Sequence, residues 1–306
     1  MGQEDYRGAL HILKQGTLKW HQWRRSNPAI APDLSAQNLS HLNLRGVDLS
    51  HCNISQARLS YSRLIAANLK EANLSTIQGD HLQLQEANLQ QVNLSNADLS
   101  QGNFSGANLQ EAYCIGSDFR QSLLKNANLQ NANLIGTNLR QCDLFGANLT
   151  AARLNRSNLS DTCLLKTSLN EADLSRANLF EAEIATGQLY KANLAGADLT
   201  RTHLHNSYLF GANFQAATLR QTDLRWAIAT YGNFAGADLA GANLRGADLR
   251  YTNFVGANLQ GANLRGCHLN FANLEQCNLL GANLDETQLG QVNLRRATMP
   301  NGIVRY

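Results

Sequence analysis

The strongest constraint on the fold of this chain is a five-residue repeat that keeps one frame over residues 34–299. Each repeat has a small residue, an Asn or Asp, a Leu and two variable residues, as in residues 237–241 (Ala-Asp-Leu-Ala-Gly). Five residues turn an α-helix about 140° beyond a full turn, so the leucines would scatter around a helix. Because side chains alternate along a strand, an odd period would place successive leucines on opposite faces of a long strand. The repeat therefore excludes both regular elements as the main unit.

A short strand followed by a corner in every repeat does bury this pattern. The small residue and the Leu are two positions apart and point inward, while the Asn or Asp between them points outward. The fifth position is often Gly, as at Gly106, Gly146 and Gly246, which predicts a turn with positive φ. Each coil then lies on the previous one through parallel strand hydrogen bonds. The sequence predicts a β-solenoid.

The repeat resembles the pentapeptide repeat family, whose signature is Ala-Asp/Asn-Leu-x-x, and the resemblance covers residues 34–299. The resemblance implies an all-β fold, a right-handed quadrilateral parallel β-helix with four pentapeptides in each square coil. It implies little about function, because members of the family do unrelated things. We expect an N-terminal helical cap (residues 1–33), the β-helix (residues 34–299) and a C-terminal tail (residues 300–306).

The N-terminal segment has helical spacing. Residues three or four apart share one face, with Trp23 at its edge: Tyr6, Leu10, Leu13, Thr17 and Trp20. Gly16 is a candidate break between two helices, and Pro28 ends the helical run. We expect Trp20 and Trp23 to cover the first coil, because a stacked solenoid needs its open end covered. The alternative is a docking face for a partner.

Charge and hydropathy exclude several classes of function. The net charge is +3, with 26 Lys and Arg against 23 Asp and Glu, so composition implies no attraction to nucleic acid or anionic membrane. Residues 34–306 hold 21 Lys and Arg and 20 Asp and Glu. A DNA mimic needs a strongly negative rod, so topoisomerase protection by DNA mimicry, which the family resemblance suggests, is disfavoured. Without a signal-peptide core or a long apolar segment, the predicted location is the cytoplasm.

The sequence holds no recognisable catalytic or metal-binding pattern. A phosphate-cradling loop, a zinc-type ligand spacing and a nucleophile elbow are all missing, so we predict neither an enzyme nor a cofactor. His203 and His205 flank Leu204 and face outward, and without a nearby carboxylate we interpret them as surface residues rather than a metal site. Of the six cysteines, only Cys163 points outward. The others are expected to be reduced core residues: Cys52, Cys114, Cys142, Cys267 and Cys277.

Residues twenty apart should lie one above the other, which gives a first candidate surface. It combines a basic column with an aromatic column: Arg225, Arg245, Arg265 and Arg250, with Tyr231, Tyr251 and Phe271. Such a surface could receive a polyanion or an acidic partner. The alternative is that these residues only cover the solenoid, with Asp223, Asp238 and Asp248 neutralising the arginines.

A second candidate surface consists of apolar residues in the middle of the chain that we expect to be exposed: Phe145, Leu165, Tyr190, Phe210 and Phe180. An apolar group on a polar surface indicates a protein contact or a dimer surface. A further column is expected to form a hydrogen-bonded ladder: Asn193, Asn213, Asn233, Asn253, Asn273 and Asn293.

Two repeats carry a small residue where Leu is expected. At Gly79 the inward volume moves to Ile77 and Leu82, and we expect a bulge or loop around residues 78–81. Beside Ala229 a column of aromatic residues should stack and fill the space: Phe214, Phe234 and Phe254.

The pattern as a whole predicts a non-catalytic protein-interaction or scaffolding module. Its expected partner is another protein, with a homodimer as one form of that contact, either mid-rod or end to end. End-to-end contact follows from the thin C-terminal cover, because the break at Pro300 and Gly302 leaves only Ile303, Val304 and Tyr306 to cover the last coil. The alternatives are the disfavoured DNA mimic and weak polyanion binding through the arginine and aromatic columns. Contact with a membrane or nucleic acid is not expected.

Overall fold

The chain begins with two short helices. The structure, a computed structural model, describes residues 4–306, so residues 1–3 and the side chain of Tyr6 lie outside the described part. Helix α1 spans Glu4–Lys14 and helix α2 spans Thr17–Ser26. Gly16 separates them with a φ of 107°, and α2 ends just before Pro28, as the sequence predicts. Ala9, Leu13 and Trp20 are buried.

The rest of the chain is a right-handed quadrilateral parallel β-helix, which confirms the predicted fold class. Its strands are single-residue bridges at every fifth position, each parallel to the residue twenty positions later. The chain divides into two compact units, Met1–Asn148 and Leu149–Tyr306. The bridges run from Asp33↔Asn53 to Asn128↔Asn148 in the first unit and from Arg153↔Asp173 to Asn278↔Thr298 in the second.

Backbone hydrogen bonds join each coil to the next. The inward Leu34 donates its N–H to the carbonyl of Asn53 at 2.6 Å, and Asn73 donates back to the carbonyl of Cys52 at 2.9 Å. The inward Leu, Ala and Phe side chains are almost completely buried. The core of each unit is therefore a narrow stack of inward side chains.

The corner after each Leu explains the frequent glycines. The second turn residue has a positive φ in every repeat from Ala36 to Arg296, near 65° at glycines and near 57° elsewhere. A left-handed conformation costs a residue with a Cβ roughly 1–2 kcal/mol, so glycine is favoured there without being required. Even Tyr231 adopts a φ of 61° at such a corner.

The outward Asn and Asp residues hold the corners and the stack together. The side-chain Oδ1 of Asn193 accepts the backbone N–H of Ala195 at 3.3 Å and the Nδ2–H of Asn213 at 3.0 Å. The same side-chain bond joins Asn233 to Asn213 and Asn253 to Asn233. The expected asparagine ladder is confirmed over these coils, and it gives Asn and Asp a structural reason to recur.

The expected bulge at residues 78–81 is wrong. Gln78 bridges both Arg58 and Asp98, and Gly79 donates its N–H to the carbonyl of Asp98 at 2.8 Å, as a Leu does elsewhere. A Cβ at Gly79 would lie 3.3 Å from Ile77 Cδ1 and 3.4 Å from Leu82 Cδ2. Because these two side chains fill the centre, the coil keeps its regular path.

The aromatic stack near Ala229 is confirmed. Phe214, Phe234 and Phe254 are fully buried, with ring centroids 4.8 and 4.7 Å apart and nearly parallel planes. A Cβ at Gly232 would lie 3.0 Å from Phe234 Cε2, so a small inward residue makes room for the ring.

The C-terminal tail folds back on the last coil. Thr298 and Val304 form an antiparallel bridge, and the N–H of Met299 donates to the carbonyl of Ile303 at 2.8 Å. Ile303 is 63% exposed and Tyr306 completely exposed, so the cover is thin, as expected. Neither described helix is long and apolar enough to cross a membrane.

Candidate functional site

Three aromatic rings stack along one corner of the second unit. Tyr231, Tyr251 and Phe271 occupy the same corner position in three successive coils, so the coil spacing itself brings their rings together. The centroids are 4.9 Å apart in both pairs, with interplanar angles of 4° and 1°. The three side chains are 45–56% exposed, so the stack presents ring edges and hydroxyls to solvent.

The stack continues into the preceding coils. The ring centroid of Phe210 lies 5.4 Å from that of Tyr231. The ring centroids of Tyr190 and Tyr208 lie 5.8 and 6.3 Å from that of Phe210. We call the six rings the aromatic strip: Tyr190, Tyr208, Phe210, Tyr231, Tyr251 and Phe271. The structure thus joins residues of the two predicted surfaces, which the sequence analysis treated separately. Tyr208 was missed, although it lies only two positions before Phe210.

The second predicted surface is less exposed than expected. Its five residues are all half-buried: Phe145, Leu165, Phe180, Tyr190 and Phe210. The expectation that they are exposed is wrong because coils about 4.8 Å apart cover each outward side chain from above and below. Phe145 belongs to the first unit and the other four to the second.

Two exposed apolar residues in the same unit as the strip were also missed. Trp226 is 56% exposed and Ile228 is 45% exposed. One face of the Trp226 indole lies against Gly246, where a Cβ would clash with the ring. The register contains this signal, since Gly246 and Gly266 follow Trp226 at twenty-residue intervals.

The arginine column is mostly neutralised by the chain itself. Arg225 pairs with Asp223 at 2.6 Å, Arg250 with Asp248 at 2.7 Å and Arg265 with Glu286 at 2.7 Å, in line with the sequence-based alternative. The hydrogen bonds from Arg250 lower the pKa of Asp248 despite its partial burial.

Two arginine contacts differ from the expectation. Asp238 pairs with Arg220 rather than with the column, because the chain places Arg220 near it from the preceding coil. Arg245 makes no ion pair within the described part of the chain. The charge of Arg245 nevertheless helps Arg265 to lower the pKa of Glu286.

The two histidines do have nearby carboxylates, contrary to the sequence analysis. His203 Nδ1 lies 2.7 Å from Glu183 Oε2, and His205 Nδ1 lies 3.6 Å from Asp223 Oδ2. The twenty-residue register could have shown this, because Glu183 and Asp223 are the outward residues directly before and after His203.

The cysteines follow the predicted pattern, with Cys163 half-buried and the other five buried. Burial raises the pKa of those five thiols to about 12: Cys52, Cys114, Cys142, Cys267 and Cys277. Cys277 donates its thiol hydrogen to the carbonyl of Phe254 at 2.8 Å.

At the N-terminal end, helix α2 bonds to the first coil, residues 33–52. Trp20 is fully buried, and its Nε1–H donates to the carbonyl of Asp48 at 2.6 Å. His21 Nε2 accepts the backbone N–H of Asp48 at 3.0 Å, and Arg24 donates to the carbonyl of Ser50 at 3.0 Å. Trp23 is half-buried, with its ring 5.3 Å from that of Trp20.

Comparison with known families gives one clear match. A family model described as pentapeptide repeats matches in eight copies, over residues 38–75, 87–126, 122–161, 188–225, 233–266 and 262–299. These ranges cover well over half of the chain. No curated protein matches.

Solved structures with the same kind of repeat also match. HetL, a pentapeptide repeat protein involved in heterocyst differentiation regulation from the cyanobacterium Nostoc sp. strain PCC 7120, is 27% identical. The match covers 93% of this chain and 98% of HetL, with a TM-score of 0.30. QnrB1, a plasmid-mediated fluoroquinolone resistance protein, is 21% identical over 56% of this chain and 84% of its own, with a TM-score of 0.35.

A third neighbour is a pentapeptide repeat protein from the Arabidopsis thaliana thylakoid lumen, 26% identical over 37% of this chain and 65% of its own, with a TM-score of 0.25. TM-scores this low give no basis for transferring a function or a location from these neighbours.

Proposed function

This chain belongs to the pentapeptide repeat family, and we propose that it is a non-catalytic protein-binding module whose contact surface is the aromatic strip. The observation that carries the proposal is the exposure of Tyr231, Tyr251 and Phe271 together with Trp226 and Ile228 in one unit. Apolar groups of this size on a polar surface mark protein contacts. Tyr and Trp are also enriched among the residues that dominate binding energy at interfaces.

The geometry of the rings favours a protein over a nucleic acid. Single-stranded nucleic acids bind by stacking bases on the faces of aromatic side chains. The faces of Tyr231, Tyr251 and Phe271 are stacked on each other, so the strip offers ring edges instead. Three arginines are already paired with Asp223, Asp248 and Glu286, and these pairs reduce the positive charge available to a polyanion.

The other sequence-based alternative gains no support. A DNA mimic must be strongly negative, whereas residues 34–306 are nearly neutral. The proposed occupant of the strip is therefore another protein, with a second copy of this chain as the alternative occupant.

The test compares three versions of the full chain in affinity capture. The first is wild type, the second carries Tyr231→Ser, Tyr251→Ser and Phe271→Ser, and the control carries Tyr61→Ser. Tyr61 is 51% exposed at an equivalent corner in the first unit, with a φ of 60°. A partner captured by wild type and control should bind the triple variant at least tenfold more weakly, because its apolar contact area is lost.

Sedimentation of the same three proteins tests self-association. Equal capture and equal mass for all three would contradict the proposal. A steep salt-dependent shift of labelled DNA that charge reversal at Arg225, Arg245 and Arg265 abolishes would replace it with polyanion binding.

A further inference from the structure

His203 and His205 form a pair on one outward face of the second unit. They flank Leu204, which is fully buried, so both imidazoles project away from the core. His203 is 54% exposed and His205 is 34% exposed. Alternate residues on a strand lie about 6.6–6.8 Å apart along it. Two imidazole side chains at that separation are long enough to reach one ion between them.

Each imidazole has a carboxylate at the same ring nitrogen. Glu183 Oε2 lies 2.7 Å from Nδ1 of His203, and Asp223 Oδ2 lies 3.6 Å from Nδ1 of His205. The Nδ1 of His205 is buried and has no hydrogen-bond partner, so Asp223 is the group placed to receive its proton. Arg225 fixes that carboxylate through both oxygens, at 2.8 and 2.6 Å.

A carboxylate at Nδ1 favours the tautomer with the proton on Nδ1 and the lone pair on Nε2. Metal-ligating histidines commonly have this arrangement, in which the second ring nitrogen donates to a carboxylate that orients the ring. His203 has this arrangement with Glu183 at 2.7 Å, and at His205 the carboxylate of Asp223 lies on the same side of the ring, 3.6 Å from Nδ1, beyond hydrogen-bond distance. Two histidines that lay side by side on a surface by chance would not each be expected to have a carboxylate near Nδ1.

The charges around the pair also suit a cation. A shallow groove of about 510 Å³ is lined by Glu181, Glu183, Arg201, His203 and Gln221. Arg201 is held by Glu181 at 2.8 Å, and Arg225 is held by Asp223. The charged groups that line the groove are thus two carboxylates and one guanidinium, with Glu183 bonded to His203.

We propose that His203 and His205 bind one divalent transition-metal ion through their Nε2 atoms, with Glu183 and Asp223 holding the two rings. Imidazole nitrogen suits Zn²⁺, Cu²⁺ and Ni²⁺. Among the described residues no group of three His, Cys, Asp or Glu side chains is placed to hold a metal ion. The ligand set is accordingly two imidazoles, and water completes the coordination.

The test uses the full chain without a histidine tag, titrated separately with Zn²⁺, Ni²⁺ and Cu²⁺. Calorimetry and equilibrium dialysis should give one bound ion for each chain, and the Cu²⁺ form should show two nitrogen ligands by electron paramagnetic resonance. His203→Gln and His205→Gln should each weaken binding at least tenfold. Glu183→Gln should weaken it by about 10–100-fold, the usual loss for a group that orients a ligand.

The matched control is His51→Gln in the first unit. His51 Nδ1 lies 3.3 Å from Glu71 Oε2, so it is a histidine and carboxylate pair without a second histidine two positions away. This variant should bind the metal as wild type does. Circular dichroism melting of each variant checks folding, which these exposed positions should leave unchanged.

Two results would overturn the proposal. One is the absence of saturable binding by wild type for all three ions. The other is equal affinity and stoichiometry for wild type and the His203→Gln, His205→Gln double variant, which would place the ion elsewhere. Unchanged affinity in Glu183→Gln would remove the role proposed for the carboxylate. Because the test measures metal binding alone, its outcome is separate from that of the aromatic-strip experiment.

Discussion

The first coil (residues 33–52), in the first unit, and the last coil (residues 280–299), in the second unit, follow the same repeat but differ in how they are covered. In the first coil, Leu34, Leu39 and Leu49 are completely buried. In the last coil, Leu289 is 38% exposed and Leu284 is half-buried. The same inward position is thus fully covered at one end and open at the other. The repeat determines which side chains point inward. Whether those side chains are buried at an end depends on a segment outside the repeat.

The backbone shows the same contrast. At the covered end, α2 accepts the N–H of Asp48 through His21 and donates to the carbonyls of Asp48 and Ser50 through Trp20 and Arg24. In the last coil, none of the described residues accepts the N–H groups of Leu284, Glu286, Leu289, Gln291 and Leu294. An exposed row of strand groups is a template for further pairing. End-to-end association therefore stays a prediction for the C-terminal end alone.

The largest expected effect on stability comes from a substitution in the helix that covers the first coil. Trp20→Ala should lower the free energy of unfolding by about 3–5 kcal/mol, the usual cost of emptying a buried aromatic site. It also removes the donor that satisfies the carbonyl of Asp48. Urea unfolding followed by far-ultraviolet circular dichroism measures the loss, with native-state hydrogen exchange locating it in the first unit.

The control is Leu18→Ala on the same helix, where the side chain is 73% exposed. A change within about 0.5 kcal/mol is expected there. Equal losses for the two variants would mean that α2 contributes helix propensity rather than cover. The contrast between the two ends would then rest on the first coil itself.

A pair of substitutions sharpens the comparison at a smaller scale. Leu49 and Leu289 occupy the same place in the twenty-residue register, and only the first is fully buried. Leu49→Ala should cost about 2–5 kcal/mol because it leaves a cavity. Leu289→Ala should cost about 1 kcal/mol, because part of its side chain is already in water.

Urea unfolding of both variants gives the two values, and hydrogen exchange assigns each loss to its own coil. A solenoid's stability is close to a sum over neighbouring repeats, so each loss should remain local. Equal costs would show that the last coil is covered in solution, for example by a second copy of the chain. Sedimentation of wild type would then identify that cover.

The fold was predictable because it depends on period and residue type alone. The frame assigned Cys114 and Cys277 to the core, and the resemblance to the pentapeptide repeat family implied the coil of twenty residues. The expected bulge at Gly79 failed for a packing reason. The sequence had already assigned the missing inward volume to Ile77 and Leu82, and in the structure these two side chains fill the centre beside Gly79 without any displacement of the coil.

The candidate surface was less predictable, because side-chain direction and ion pairing lie outside the repeat. The register brought Tyr231, Tyr251 and Phe271 into one column, but it could not show that Phe210 tilts against Tyr231 at 52°. It also could not choose between Arg220 and the arginine column as the partner of Asp238. Such choices depend on rotamers and on competition among several nearby charges.

Acid should weaken the covered end through Asp48. Burial raises the pKa of this carboxyl, but hydrogen bonds from the Ser50 hydroxyl and N–H, the charge of Arg24 and the amide of Asn68 outweigh it and lower the pKa. A lowered folded-state pKa gives stability that is present above the unfolded value, near 3.9, and is lost as pH falls through the folded value. Asp48→Asn should be less stable than wild type at neutral pH, and the difference should vanish in acid.

Glu286 in the last coil is expected to show the smallest effect, in contrast to Asp48. Arg265 lowers its pKa as well, but both side chains are exposed and solvent screens the pair. Stability of Glu286→Gln should therefore follow wild type closely, and 0.5 M salt, by shortening the screening length, should remove any remaining difference.

For Asp48→Asn the difference should survive salt, since its partners include neutral Ser50 and Asn68. Thermal melts at several pH values, with and without salt, measure both. Salt sensitivity at Asp48 would mean that Arg24 alone lowers its pKa, and the cover would then be an exposed ion pair.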